Sequence, residues 1–332
     1  MTPGELYREL SAVIDNRIET SVMIWGAPGI GKSSVVQQAA ASQRLRVVDV
    51  RLSQLAPTDL RGLPVAKDGV SMWYPPNFLP RDGEGVLFLD EINMAPPAMQ
   101  GVAQQLILDR RVGDYLIPDG WFVWAAGNRK ADRAAVFDMP AALGNRFLHY
   151  DIEADIDDFK GWSIKTGLSE RILSFLLFRP TLLHKFDPQQ MAWPSPRSWE
   201  MADALDKAGL SITPAVGAAA AGEFEAFCSV YENLPDLESV LAGNNDVKFP
   251  DEASGRYATV LGLAMRAFDP ASAINGLKWL NTNAGDEWIQ FYLSDVFAVF
   301  RENGRFGELA RALGSEPDLK NLAARIRDQM VP

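Results

Sequence analysis

Up to about residue 153 the apolar positions come in short continuous runs; beyond it they recur at helical spacing. The runs are Ser21–Trp25 (SVMIW), Arg46–Arg51 (RVVDVR), Gly85–Asp90 (GVLFLD), Trp121–Ala126 (WFVWAA) and His149–Ile152. Uninterrupted apolar runs of this length suit strands covered on both faces, as in a parallel sheet. Helical stretches lie between them. One follows the capping box Thr2-Pro3-Gly4-Glu5 and runs to about Glu19; others are Ser34–Ala41 and Ala98–Asp109. Alternating strands and helices predict an α/β domain with a parallel sheet.

Two segments interrupt this alternation. Residues 53–80 hold five prolines and little helical periodicity, which predicts a structured loop or hairpin insertion rather than a helix. Trp73 and Phe78 in it read as anchors onto a core. Arg110–Asp119 reads as a hairpin. After residue 153 helices are expected from Ser195, over Ala215–Asn233, Glu287–Glu302 and Asp318–Met330, with a linker or loop at 244–252. Trp279, Trp288 and Phe291 read as core residues of those helices. The expected division is 1–153 (α/β), 154–242 (helical lid) and 243–332 (C-terminal helical extension).

Chemistry concentrates where the first runs end. Gly26–Ser33, GAPGIGKS, fits the phosphate-binding pattern G-x-x-x-x-G-K-[ST] between a predicted strand and a predicted helix. Gly26, Ala27, Pro28, Gly29, Ile30, Gly31, Lys32, Ser33 and Ser34 are the candidate nucleotide-binding residues. The glycines let the backbone turn its N–H groups toward phosphate oxygens, and the helix N-terminus adds partial positive charge. Lys32 would reach the β- and γ-phosphates, and the Ser33 hydroxyl would ligate Mg²⁺. The run GVLFLD ends in Asp90, followed by Glu91. Parallel sheets gather ligands at the carboxyl ends of their strands. Asp90 is therefore a second candidate for Mg²⁺, and Glu91 for polarising an attacking water. Asn128, just after WFVWAA, could orient that water, although an asparagine there also suits a turn.

The 332 residues allow about two domains, and 47% apolar with 23% charged residues is an ordinary globular mix. Cys228 is the only cysteine, and His149 and His184 the only histidines. That argues against a disulfide framework, a zinc cluster or a histidine-based triad, and suits a cytoplasmic protein. No apolar run is long enough to span a bilayer. The formal net charge of −11 argues against nucleic acid as a general partner.

With these residues in place, the chain resembles an AAA+ ATPase of the MoxR-like branch. GAPGIGKS resembles the Walker A loop, Val86–Asn93 (VLFLDEIN) the Walker B strand with its catalytic glutamate, and Ala125–Asn128 (AAGN) sensor 1. Gly144–Phe147 (GNRF) is similar to the motif that carries an arginine finger, and Ser195–Trp199 (SPRSW) to sensor 2. The segments DLRGLPVAKDGVSMWYPPNFLP and RRVGDYLIPDGWFVWAAGN resemble the helix-2 insertion and the hairpin before sensor 1. The resemblance covers residues 1–205. It implies a P-loop AAA+ sheet domain followed by an all-α lid and further C-terminal helices. It implies ATP with Mg²⁺, catalytic roles for Glu91, Asn128, Arg146 and Arg197, and a ring, usually a hexamer. Arg133 and Arg129 are rival fingers. Chaperone-like remodelling of a protein client follows from it, often with a partner bearing a von Willebrand factor A domain. A nucleic-acid motor or loader, or a nucleotide-gated assembly module with low turnover, are the alternatives.

Overall fold

The computed structural model describes residues 1–129, 132, 137–140 and 144–316, and the chain separates into two compact units whose sequence boundary is Asp158/Phe159. The first unit is built on a five-stranded parallel sheet of order β2–β5–β8–β1–β9. Its strands are β1 (Ser21–Trp25), β2 (Arg46–Arg51), β5 (Gly85–Asp90), β8 (Trp121–Gly127) and β9 (Phe147–Asp151). Successive side chains in the central strands enter different cores. Val22, Ile24, Val86, Phe88, Phe122 and Trp124 face helices α1 (Pro3–Asp15) and α2 (Lys32–Ser42). Met23, Leu87, Leu89, Val123 and Ala125 face α4 (Pro97–Asp109) on the other side. Both faces are covered, which is why the sequence shows continuous apolar runs instead of alternation. The edge strands β2 and β9 are mostly exposed and carry the polar residues.

Residues 53–80 fold largely as expected. They hold a hairpin of β3 (Leu63–Lys67) and β4 (Val70–Tyr74), but a one-turn helix, α3 (Pro57–Arg61), precedes it. That helix forms because Pro57 sits in its first turn and Asp59 caps the Ala56 N–H at 2.8 Å. On one face of the hairpin the Trp73 ring lies under the Arg61 guanidinium at 5.5 Å, and the Trp73 main-chain N–H donates to Asp114 at 2.9 Å. On the opposite face Leu63, Val65, Val70, Met72 and Tyr74 are exposed. Phe78 packs on the core below α4. The second predicted hairpin is β6 (Arg111–Val112) with β7 (Tyr115–Leu116).

The second unit is helical: α5 (Ile156–Thr166, which starts just before the boundary), α6 (Glu170–Phe178), α7 (Pro196–Lys207), α8 (Thr213–Val216), α9 (Ala218–Tyr231), α10 (Leu237–Leu241), α11 (Ala253–Arg266), α12 (Pro270–Asn283), α13 (Asp286–Glu302) and α14 (Phe306–Ser315). One expectation changes here. The single helix expected over 215–233 is broken at Gly217, whose φ is +82° and where a Cβ would lie 2.7 Å from the Ala192 carbonyl oxygen. Residues before and after position 243 meet in one apolar cluster. Leu237, Val240 and Leu241 pack with Val260, Leu277 and Tyr292, and the loop 244–252 is pinned by Trp279 Nε1 donating to the Val247 carbonyl at 2.8 Å. Trp279 is fully buried, and Trp288 and Phe291 are half-buried against the same core. A buried ion pair, Lys160 with Asp295, joins α5 to α13. The helix expected over 318–330 lies outside the described residues. No helix among the described residues is long and apolar enough to cross a membrane.

Candidate nucleotide site

Parallel alignment puts the carboxyl ends of β1, β5 and β8 level: Trp25 pairs with Gly127, and Leu89 with Ala125. The phosphate-binding loop leaves β1 there. Gly29 and Gly31 have φ of +80° and +96°, conformations that favour glycine. Gly31 is the N-cap of α2, and no side chain caps that helix end. An uncapped helix N-terminus beneath a glycine-bent loop is a cradle that fits a phosphate group. Lys32 is buried, and its ammonium donates to the carbonyl oxygens of Gly26 (2.7 Å) and Ala27 (3.0 Å) and to Asn128 Oδ1 (2.9 Å). Ser33 Oγ donates to Asp90 Oδ2 at 2.7 Å. The two candidate Mg²⁺ ligands, on different elements, are thus in contact, and a hydroxyl with a carboxylate is an oxygen donor pair suited to that hard cation. Ala27 and Ile30 of the loop are buried, Pro28 is half-buried, and Ser34 is exposed.

Glu91 sits at the tip of the turn after β5 with φ +56°, an uncommon conformation for a residue with a side chain. Its N–H donates to Asp90 Oδ1 at 2.8 Å, and its carboxylate accepts from Ser53 Oγ. Asn128 is buried, with its amide shared between Lys32 and Met94 Sδ (3.3 Å). The structure therefore brings Lys32, Ser33, Asp90, Glu91 and Asn128 together. Ser53 joins them without having been singled out by sequence. It lies in the turn Leu52–Gln54 after β2, brought level with the end of β5 by the pairing of Arg51 with Asp90, a register that no local sequence signal gives. On β2, desolvation raises the Asp49 carboxyl above its ordinary pKa, Asp90 and Glu91 add to the effect, and Arg51 opposes it.

Arg146 is exposed, immediately before edge strand β9. Phe147 is level with Ser21 at the start of β1, so Arg146 is a full five-residue strand from the loop, roughly 16 Å at ~3.3 Å per residue. Its turn is held by His149, which accepts from Trp25 Nε1 at Nδ1 (2.9 Å) and donates from Nε2 to the Gly144 carbonyl (2.7 Å). Arg129 is engaged within its own chain, at 3.0 Å from both Asp132 and Asp151 and 3.3 Å from Glu153. Its hydrogen bond to Asp132 leads the rise in its pKa. Arg133 lies outside the described residues. Arg197 is exposed in the first turn of α7, in the second unit.

Residues 21–147 match the family described as AAA domain (dynein-related subfamily). No curated protein matches the chain. Similar solved structures include NtrX from Brucella abortus in complex with ADP (16% identity, 94% of this chain and 67% of that one, TM-score 0.42). The same protein in complex with ATP gives 14% identity, 90% and 67% coverage and a TM-score of 0.42. A point variant of RuvB from Thermotoga maritima gives 15% identity, 80% and 82% coverage and a TM-score of 0.41. The matched stretch runs from β1 to the start of β9 and so spans the phosphate-binding loop, Asp90, Glu91 and Asn128, which makes this part of the chain similar to an AAA domain.

Proposed function

We propose that the chain is a Mg²⁺-dependent ATPase of MoxR type, working as a ring, usually of six copies, that remodels a protein client. The observation that carries the reading is the contact of Ser33 with Asp90 while Lys32 and Glu91, their chain neighbours, stand on the same site. Lys32 would orient the β- and γ-phosphates, and Ser33 and Asp90 would hold Mg²⁺, which when bound supplies neutralisation of phosphate charge. Glu91 takes a proton from the attacking water. The Asn128 amide orients that water. Arg146, remote from its own loop, is assigned to the neighbouring copy's γ-phosphate, and Arg197 to the sensor 2 position. The von Willebrand factor A partner is proposed on family resemblance alone. The net charge of −11 weighs against the nucleic-acid motor, and the presence of Glu91 against an assembly module without turnover.

The test is ATP hydrolysis by the purified chain with Mg²⁺ and with chelator, alongside sedimentation with nucleotide. Mg²⁺-dependent turnover by an oligomer supports the reading; a folded chain that binds no ATP overturns it. Lys32→Ala is expected to weaken ATP binding by about 1.5–3 kcal/mol, roughly ten- to hundredfold, because a charge-assisted contact is lost. A fluorescent ATP analogue titrated into wild type and variant measures this. Undiminished affinity in folded Lys32→Ala would remove the loop from the site.

A further inference from the structure

Asn93 is 3% exposed and follows Glu91 by two residues. Its carboxamide pairs with the main chain of Asn128 at both ends: Nδ2 donates to the Asn128 carbonyl at 2.7 Å, and Oδ1 accepts the Asn128 N–H at 3.1 Å. The opposite orientation would set donor against donor and acceptor against acceptor, so the partners dictate it. Strand β8 ends at Gly127, and Asn128 has left the sheet ladder. The Asn93 side chain replaces the missing ladder partner and continues the pairing one residue past the strand. The fit is close: a Cβ on Gly127 would fall 2.5 Å from Asn93 Oδ1. The turn is fastened at two further points, Ile92 N–H to the Ala126 carbonyl (3.0 Å) and Phe137 N–H to the Asn93 carbonyl (2.7 Å).

We propose that Asn93 is a positioning residue that fixes Glu91 and Asn128 relative to one another, and so sets the rate of hydrolysis rather than nucleotide affinity. The inference rests on the proposed ATPase function and on Asn128 as its water-orienting residue. Asn93 touches neither phosphate nor water in this role. It holds the main chain of one of those groups from a turn that carries the other. Misplacing such groups by an ångström costs on the order of a hundredfold in rate.

Asn93→Asp gives the test a readout that loss of packing would not reproduce. An ionised carboxylate keeps the acceptor for the Asn128 N–H but faces the Asn128 carbonyl with a second acceptor. A protonated carboxyl restores a donor there and has nearly the shape of the amide. Among the described residues, the charged groups on the segments that meet it are Asp90 and Glu91 on its own turn, Lys32 through Asn128, Arg129 next to Asn128, and Asp138 next to Phe137. The expected result is kcat about ten- to hundredfold below wild type at pH 8.5, recovering toward wild type when both are compared at pH 6. The Kd of a fluorescent ATP analogue should stay within about threefold of wild type. A ratio of variant to wild-type kcat that does not change with pH, or a loss confined to Kd, overturns the assignment. Gly127→Ala is the second variant, since it displaces the Asn93 amide without altering any candidate catalytic side chain. It should lower kcat in the same way at both pH values, and full activity in folded Gly127→Ala also overturns the assignment. Wild-type chain without Mg²⁺-dependent turnover overturns the ATPase function and this inference with it, whereas active wild type beside unimpaired variants overturns the inference alone.

Discussion

Arg146→Ala is expected to lower kcat by about 10³- to 10⁵-fold, the loss seen when an arginine that neutralises a transferring γ-phosphoryl group is removed. The expectation comes from an arginine that is exposed yet a full strand away from its own phosphate loop. A guanidinium so placed can act on a second copy but not on its own site. Mixing supplies the check. Arg146→Ala and Glu91→Gln should each be nearly inactive alone. Combined, and allowed to exchange subunits, they should regain some ATPase, because certain interfaces then pair an intact Glu91 with an intact Arg146. Exchange demonstrated by labelled subunits without recovered activity would remove Arg146 from the shared site. Arg129 would be a poor replacement, because Asp132, Asp151 and Glu153 already surround its guanidinium.

Glu91→Gln is expected to bind ATP as wild type does while turning over about 10²- to 10⁴-fold more slowly, the usual worth of a general base. Glutamine keeps the length of the side chain and can still accept from Ser53. It cannot take a proton from water. Asp90 and Ser33 are untouched, so retention of nucleotide should persist in the presence of Mg²⁺ and fall with chelator. Single-turnover hydrolysis against equilibrium binding separates the two effects, and normal turnover in Glu91→Gln would pass the role of base to another group.

The sheet and the loop were legible because each depends on a local pattern. Continuous apolar runs report strands buried on both faces, and the glycines with Lys32 and Ser33 report a backbone conformation. Glu91 and Asn128 were legible as strand-end residues for the same reason. What escaped were the groups whose importance lies in a pairing between distant segments. Ser53 follows a different strand from Glu91, and Asn93 meets Asn128 across 35 positions of sequence. Nothing in their immediate neighbours marks a serine in a turn or an asparagine after a carboxylate pair. The helix broken at Gly217 was missed because alanine-rich sequence favours helix on both sides of it, and the carbonyl of Ala192 that excludes a side chain comes from elsewhere in the fold.

Lys32 carries a consequence of another kind. Its three ammonium hydrogens already have the Gly26 and Ala27 carbonyls and the Asn128 amide as acceptors. If the loop takes phosphate as proposed, the arriving group would meet an exchange reaction instead of an empty cation. The free energy it gains from Lys32 is the difference between two sets of charge-assisted bonds, smaller than either set alone. The loop, in turn, does not need nucleotide to keep a buried ammonium from being stranded. On the proposed function, a departing phosphate would leave Lys32 its own chain to return to, which would lower the cost of letting product go. A loop with this internal alternative is suited to repeated release, at the expense of the tightest possible grip.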